Sequence, residues 1–265
     1  MNIKISVITV CFNVENSIQK TINSVLEQTY GNFEIIVKDG GSKDGTLIKI
    51  PISDKIHVIS QNDKGIYNAM NEAIKYASGD YYLFLNAGDI LCDKYVFETI
   101  VREIKKKPAD IYYGDYKRNG LIVCQPEQLS KFTLFRNPLN HQSVFFSKSV
   151  VSCGDWYNEN YMILADYELM VRLFVEKKCF KHIPVVIDEY EGNGVSESKK
   201  GIKKNNEEME IVRKQYFSKE YLWYKLILSL TLVKLRQWMV KDTTPEIVTM
   251  CYRKVTNFIN NVMKK

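Results

Sequence analysis

The sequence predicts an α/β fold in which a mainly parallel sheet is covered by helices on both faces. Two observations predict it: short apolar runs of strand length, and segments of helical periodicity that alternate with these runs over the first third of the chain. Such alternation is typical of parallel sheets whose strands are joined by crossover helices. The 265-residue chain is 45% hydrophobic and 26% charged, as expected of a folded protein that buries a sizeable core.

Four predicted strands lie in this first part. Residues 5–10 are a compact β-branched run, and an amphipathic helix follows them. Residues 33–37 and 56–59 are the next two strands, and a second amphipathic helix follows the third strand. Residues 82–85 are the fourth strand and run directly into an acidic turn. Each strand therefore ends in a polar loop, at the sheet edge where open α/β proteins bind ligands.

The pattern is looser in the second half of the chain. The Asn119-Gly120 pair predicts a hairpin after a strand at 111–115. The other predicted elements are a strand at 143–146 and helices at 96–104, 166–174 and 199–216. We therefore expect one domain over residues 1–216 and a helical extension over residues 217–265.

The polar loops should meet in one crevice, because the carboxyl ends of neighbouring parallel strands share a sheet edge. They bring Glu15, Asp39 and Asp63 beside Asp89. An acidic crevice suits a nucleotide base with N–H donors, a ribose and a metal ion better than bare phosphates. The Gly40-Gly41 pair either lets the backbone approach a flat ring or forms a plain turn.

Asp89 closes the acidic turn after the fourth strand. Mg²⁺ or Mn²⁺ is commonly held by one or two carboxylates together with a diphosphate, so Asp89 is a candidate metal ligand shared with a nucleotide. The alternative is a solvated turn in which Asn86 and Asp89 cap the following helix.

In order and spacing, these loops strongly resemble the family 2 glycosyltransferases of GT-A fold that build bacterial surface polysaccharides. The resemblance covers about residues 3–196, and the matching segments are Ser6-Val7-Ile8-Thr9-Val10 with Asn13 and Glu15, Asp39-Gly40-Gly41-Ser42-Lys43-Asp44-Gly45-Thr46, Asp63-Lys64-Gly65-Ile66-Tyr67-Asn68-Ala69-Met70-Asn71, and Gly79-Asp80. The resemblance implies four nucleotide contacts, from Thr9, Glu15, Asp39 and Lys64. It implies that Asp89 holds Mg²⁺ or Mn²⁺ on the diphosphate. It also implies a nucleotide-sugar donor, most often a UDP-sugar.

The acidic turn departs from the family pattern, which often carries two or three aspartates. Here Asn86 and Gly88 flank a single Asp89. The Asn86 carbonyl can still offer an oxygen on the nucleotide-sugar side, and the diphosphate and waters can complete a metal shell. The reduced motif also motivates an alternative, a sugar-nucleotide-binding assembly protein that has lost catalysis.

Inverting sugar transfer needs a base that takes the acceptor hydroxyl proton. The family places this carboxylate at the start of a helix in the second half of the chain, and Leu164-Ala165-Asp166-Tyr167-Glu168-Leu169 is similar to that site. Asp166 is therefore the expected base and Glu168 the reserve. The alternative is that Asp166 is an N-cap.

Two further segments resemble parts of the family. Asn140-His141-Gln142-Ser143 is similar to a segment near the diphosphate or the acceptor, which makes His141 either a ligand contact or a structural histidine. Residues 192–196 resemble the loop that closes over the donor, with an ordinary glycine turn as the alternative.

The C-terminal extension carries much of the positive charge, and the formal net charge of the chain is +6. A basic end favours an anionic membrane surface over nucleic acid. Residues 221–240 are apolar and aromatic, but three basic residues argue against a transmembrane helix. A helix in the membrane interface, packing on the domain, and a homodimer contact remain the three alternatives.

The expected activity is a metal-dependent, inverting transfer of a hexose-type sugar to a lipid-linked or growing surface glycan. Six scattered cysteines and the lack of an export signal predict a cytoplasmic protein, peripheral on the inner face of the membrane if the extension binds lipid. Transfer to a polyprenyl phosphate is the runner-up reaction.

Overall fold

The computed structural model describes residues 2–151, 156–190, 192 and 198–230. In these ranges the strands are β1 Ile5–Cys11, β2 Phe33–Asp39, β3 Ile56–Ser60, β4 Tyr81–Phe84, β5 Ile90–Leu91, β6 Ile111–Arg118, β7 Leu121–Val123, β8 Val144–Ser147 and β9 Phe180–Tyr190. The helices are α1 Ile18–Leu26, α2 Ile66–Ile74, α3 Val96–Lys106, α4 Lys131–Arg136, α5 Ala165–Val175, α6 Lys199–Tyr216 and α7 Tyr221–Leu230.

The described strands form one sheet in the order β3-β2-β1-β4-β8-β6-β9-β5, with β7 paired to β6. The half made of β3, β2, β1 and β4 is parallel throughout, as the sequence predicts. The other half is mixed: β8 is antiparallel to both β4 and β6, whereas β9 is parallel to β6 and antiparallel to β5. The sheet is therefore less parallel than expected, because β8 enters between β4 and β6 in the opposite direction.

The apolar core on one face of the sheet lies under α1 and α3. Ile18, Ile22 and Val25 recur at helical spacing in α1 and are fully buried, so they form the single apolar stripe of an amphipathic helix. They join the alternate residues Ile5 and Val7 of β1 in the same core cluster. Each such side chain contributes roughly 1.5–3 kcal/mol by leaving water.

The opposite face of the sheet packs under α2. Phe84 points to this face, and its ring centroid lies 5.2 Å from that of Tyr157. Tyr67 of α2 lies 5.4 Å from the same tyrosine ring. Helices therefore cover both faces, as predicted, and this second face carries the chain segment that leads into α5.

The described chain divides into two compact units. The first contains residues up to Glu127 together with Leu139–Glu208, and it holds the whole sheet. The second contains Gln128–Pro138 and the chain from Met209 onward. The predicted domain boundary after residue 216 stays a prediction. The two compact units instead divide this part of the chain between Glu208 and Met209.

The second unit has an aromatic core of its own. The ring centroids of Phe135 and Phe217 lie 5.6 Å apart, and those of Phe132 and Tyr224 lie 5.2 Å apart. The outer face of α7 is apolar, with Leu222 80% and Trp223 58% exposed. None of the helices in the described ranges has the length and apolar character needed to cross a bilayer. Residues 231–240 of the predicted interfacial helix lie outside the described residues.

Candidate active site

The loops after β1 and β2 are interlocked by reciprocal hydrogen bonds. The Asn13 backbone N–H donates to Ser42 Oγ at 2.8 Å, and the Asn13 side-chain oxygen accepts from Lys43 N at 2.9 Å. The Glu15 carboxylate accepts from Gly45 N at 2.7 Å. Asn13 adopts a left-handed conformation with φ 52°, which asparagine tolerates better than most residues. Glu15 is exposed at the surface, beside the loop that follows β2.

Asp39 ends β2 and organises the loop that follows it. Its fully buried carboxylate accepts from Gly41 N at 3.1 Å, Ser42 N at 3.0 Å, Ser60 Oγ at 2.7 Å and the Ser42 hydroxyl. Burial alone would raise the pKa of Asp39, but the hydrogen bonds from Ser42 and Ser60 outweigh it and hold the pKa below its ordinary value. Asp39 is therefore ionised and largely occupied by its own loop.

The glycine pair after Asp39 lets the loops after β2 and β3 pack closely. A Cβ atom on Gly40 would lie 2.6 Å from Asp63 Oδ2. Gly41 has φ +86°, and a Cβ atom there would lie 2.2 Å from Asn62 Oδ1. A larger residue at Gly40 would push the Asp63 carboxylate aside, and one at Gly41 would also be strained by the positive φ.

Two other residues expected to contact the nucleotide lie at different depths. Lys64 is exposed beside the crevice, at the start of α2. Thr9 lies inside β1 with its side chain fully buried, and its hydroxyl has no hydrogen-bond partner among the described residues. Thr9 therefore does not reach the crevice surface in this structure.

A hydrogen-bonded chain joins the acidic turn to the predicted base. Asn86 Nδ2 lies 3.3 Å from His141 Nε2, and His141 Nδ1 lies 3.0 Å from Asp166 Oδ2. If Nδ1 carries the proton and donates to Asp166, Nε2 is the acceptor for the Asn86 amide in neutral histidine. The turn after β4, the 3₁₀ turn at His141–Ser143 and α5 therefore meet at one point.

The Asp166 carboxylate is held by three groups. Its Oδ1 accepts from Tyr167 N at 2.8 Å and lies 3.2 Å from the Tyr67 hydroxyl. Burial and the Asp166 charge raise the pKa of Tyr67 well above its ordinary value, so the hydroxyl stays a donor. Asp166 is the second residue of α5, whose N-cap is Leu164. The structure therefore does not show Asp166 as an N-cap.

Glu168, the reserve base, faces away from this point. It is buried, and its Oε1 lies 3.3 Å from Arg172 Nε, while Arg172 donates to the Trp156 carbonyl at 2.7 Å. Glu168 is therefore paired with Arg172, whereas Asp166 is paired with His141.

Asp188 is a site residue that sequence analysis missed. It is buried in β9, where it accepts from Asn140 Nδ2 at 3.1 Å and from the Ser143 hydroxyl. Burial, reinforced by the Asp89 charge, raises the pKa of Asp188 to about 7 despite these hydrogen bonds. The available signal was an aspartate within an apolar strand sequence, Val185-Val186-Ile187-Asp188.

His141 lies in the field of three carboxylates. Burial lowers its pKa, but the hydrogen bond and charge of Asp166, together with Asp89 and Asp188, raise the pKa above its ordinary value. The surrounding carboxylates therefore outweigh the effect of burial on the pKa of this imidazole.

The acidic turn fits one side of a metal site. Gly88, with φ 112°, allows the tight turn, and Asp89 N donates to the Asn86 carbonyl at 3.1 Å. The Asn86 side-chain oxygen is buried and has no hydrogen-bond partner among the described residues. An orphaned oxygen beside a carboxylate suits Mg²⁺ or Mn²⁺. No cluster of three acidic, histidine or cysteine ligands occurs in the described ranges.

Comparison with known proteins identifies the class. The family model for glycosyl transferase family 2 matches residues 6–155. The chain therefore belongs to glycosyltransferase family 2, which confirms the resemblance found in the sequence. The predicted roles of individual site residues stay predictions.

Two curated relatives are glycosyltransferases. The PGL/p-HBAD biosynthesis glycosyltransferase of Mycobacterium bovis is 28% identical over 243 residues, which cover 88% of this chain and 90% of the relative. The UDP-Glc:alpha-D-GlcNAc-diphosphoundecaprenol beta-1,3-glucosyltransferase WfgD of Escherichia coli is 32% identical over 154 residues, or 57% of this chain and 56% of WfgD.

Solved structures share the fold. TarS of S. aureus in complex with UDP-GlcNAc has a TM-score of 0.64 at 19% identity, over 80% of this chain and 67% of TarS. Mannosyltransferase PcManGT of Pyrobaculum calidifontis in complex with GDP-Man and Mn²⁺ has a TM-score of 0.59 at 11% identity, over 96% of this chain and 80% of PcManGT. These likenesses confirm the predicted GT-A-like α/β fold.

Proposed function

We propose that this glycosyltransferase moves a sugar from a nucleotide sugar, with inversion, to a hydroxyl of a lipid-linked or growing surface glycan. The observation that supports it best is the chain from Asn86 through His141 to Asp166. In these hydrogen bonds Asn86, in the turn suited to a diphosphate, and Asp166, the carboxylate suited to a base, lie on either side of His141.

Asp166 is proposed as the general base. About 16% of its side chain is exposed, so the carboxyl group is not sealed from an acceptor. As the acceptor oxygen bonds to the anomeric carbon, its proton passes to Asp166 and the bond from that carbon to the diphosphate breaks. The diphosphate leaves with the electron pair from the opposite face, so the configuration inverts.

Asp89 and Asn86 are the residues that would hold Mg²⁺ or Mn²⁺, and the ion would neutralise charge on the diphosphate. The orphaned Asn86 oxygen supports this assignment. The Mn²⁺ in the PcManGT complex supports it from a protein of the same fold.

The donor is proposed to be a UDP-sugar, with Glu15 and Lys64 contacting the nucleotide. Both side chains are exposed in loops that follow parallel strands, at the sheet edge where α/β folds bind nucleotides. The TarS complex with UDP-GlcNAc and the UDP-Glc in the name of WfgD support the choice of UDP.

The second unit is proposed to dock on a membrane surface and thereby approach a lipid-linked acceptor. The outer face of α7 exposes Leu222, Trp223 and Leu226, and exposed Lys214 and Lys219 precede it. Aromatic and aliphatic side chains beside lysines are typical of interfacial helices. The diphosphoundecaprenol acceptor in the name of WfgD supports a lipid-linked acceptor.

The first test is release of nucleoside diphosphate from UDP-, GDP- and dTDP-sugars, with and without extracted glycolipid. We expect one donor to be turned over by the wild type, and about 10²–10⁴-fold slower by Asp166→Asn, the usual contribution of a general base. Asp54→Asn, at an exposed aspartate, is the matched control. Intact nucleotide binding without turnover of any donor would instead indicate a non-catalytic sugar-nucleotide-binding protein. Acceptance of sugar by a polyprenyl phosphate would identify the runner-up reaction.

A further inference from the structure

The helix that carries Asp166 begins without a cap of its own. Helix α5 starts at Ala165, and its N-cap Leu164 provides no side-chain hydrogen bond. The first N–H groups of a helix have no backbone partner within the helix, and in α5 the Tyr167 N–H bonds to the Asp166 side chain. For the residues just before α5, the acceptor comes from a distant part of the sequence.

That acceptor is Glu208, which belongs to the first compact unit. Its Oε1 accepts from Met162 N at 2.8 Å, and its Oε2 accepts from Ile163 N and Leu164 N, each at 2.9 Å. Only 1% of Glu208 is exposed. A buried carboxylate is costly unless it is fully hydrogen-bonded; these three N–H groups supply its hydrogen bonds, and Lys204 Nζ lies 3.7 Å from Oε1.

The same segment is held from its other side by Tyr67. The Tyr67 hydroxyl contacts the Ile163 carbonyl oxygen and lies 3.2 Å from Asp166 Oδ1. The backbone of Ile163 is therefore fixed through its N–H by Glu208 and through its carbonyl by Tyr67. Asp166 follows three residues later, so this clamp determines where the first turn of α5 places it.

We propose that Glu208 is a positioning residue for Asp166, an inference that rests on the proposed function. Glu208 holds residues 162–164 so that the Asp166 carboxylate stays on His141 Nδ1 and faces the acceptor hydroxyl. Without Glu208, three N–H groups lose their acceptor and the start of α5 relaxes. Catalytic groups must be held to within a fraction of an ångström, and such a shift lowers the rate without removing the base.

The test compares Glu208→Gln with Glu207→Gln, its exposed neighbour in the same helix. Glutamine keeps the size of the side chain but turns an N–H₂ group toward a backbone donor. We expect Glu208→Gln to lower kcat by about 10- to 100-fold, with KM for the donor unchanged, and Glu207→Gln to match the wild type. Glu208→Asp, which keeps the charge but shortens the side chain, replaces Glu208→Gln if that variant does not fold.

A purely structural role is distinguished by repeating the substitution in Asp166→Asn protein. If Glu208 acts through Asp166, the Glu208→Gln substitution lowers kcat no further in Asp166→Asn protein, because the effects of residues that act as a unit are non-additive. An equal loss in both backgrounds, or full activity of Glu208→Gln beside an impaired Asp166→Asn, would overturn the inference and leave the proposed function standing. A wild type that turns over no donor would overturn both.

Discussion

His141 Nδ1 lies 3.0 Å from Asp166 Oδ2, so the proposed base is paired with an imidazole whose pKa its hydrogen bond and charge raise against the effect of burial. The other ring nitrogen of His141 lies against Asn86 in the acidic turn. One imidazole therefore links the side of the site suited to the leaving group with the side suited to the acceptor.

Replacing His141 by alanine should slow sugar transfer by on the order of 100-fold, because Asp166 loses the partner that orients it. The rate is measured at saturating donor and compared with that of His57→Ala, an exposed histidine on β3. Equal rates in the two variants would show that His141 does not contribute to the site.

Replacing Asp89 by alanine should remove the dependence of the reaction on Mg²⁺ or Mn²⁺ and lower the rate by at least about 100-fold. The measurement is nucleoside diphosphate release across a metal titration, with Asp54→Ala as the matched control. A metal response that survives unchanged in Asp89→Ala would place the ion elsewhere.

Replacing Gly41 by alanine should destabilise the protein by roughly 1–2 kcal/mol, because a side chain is strained at a positive φ. The new Cβ would also press on Asn62, so nucleotide binding should weaken. Gly31→Ala is the control, since no atom lies within 4 Å of its Cβ. Urea unfolding and UDP titration measure the two effects, and a Gly41→Ala protein as stable as the control would contradict the expectation.

Asp188 should make the protein less stable as the pH rises from about 4 to about 7. Its pKa is raised from 3.8 to about 7 in the folded protein. The unfolded chain therefore releases this proton at lower pH than the folded chain does. Stability falls over that interval by up to about 1.4 kcal/mol per pH unit.

The measurement is the free energy of unfolding at several pH values, for the wild type and Asp188→Asn. The free energy of unfolding of Asp188→Asn, relative to that of the wild type, should increase as the pH rises. A difference that is constant between pH 4 and 7 would show that Asp188 titrates at its ordinary pKa.

Local sequence was sufficient to predict the parallel half of the fold. Strand and helix periods identify β1, β2, β3 and β4, and the sheet rules place their carboxyl ends together. The segment 199–216 was predicted as a helix and is α6. The Asn119-Gly120 hairpin is also confirmed, with both residues at positive φ.

The remaining features depend on contacts between residues far apart in the chain. Nothing in the residues around β8 specifies that it enters antiparallel between β4 and β6. Asp188 and Glu208 each belong to an element whose own pattern is ordinary, and their importance comes only from what they touch. Thr9 matches a family position, yet its register on β1 places it inside the core. Of the predicted donor loop, only Gly192 belongs to the described residues.

The reciprocal bonds between Asn13, Glu15 and the loop at 39–46 also constrain how this enzyme can be redesigned. Each loop supplies acceptors for the other's backbone, so neither keeps its shape if the other is exchanged alone. Chimeras made to alter donor choice must therefore transplant residues 12–16 and 39–46 as a pair, from a single parent.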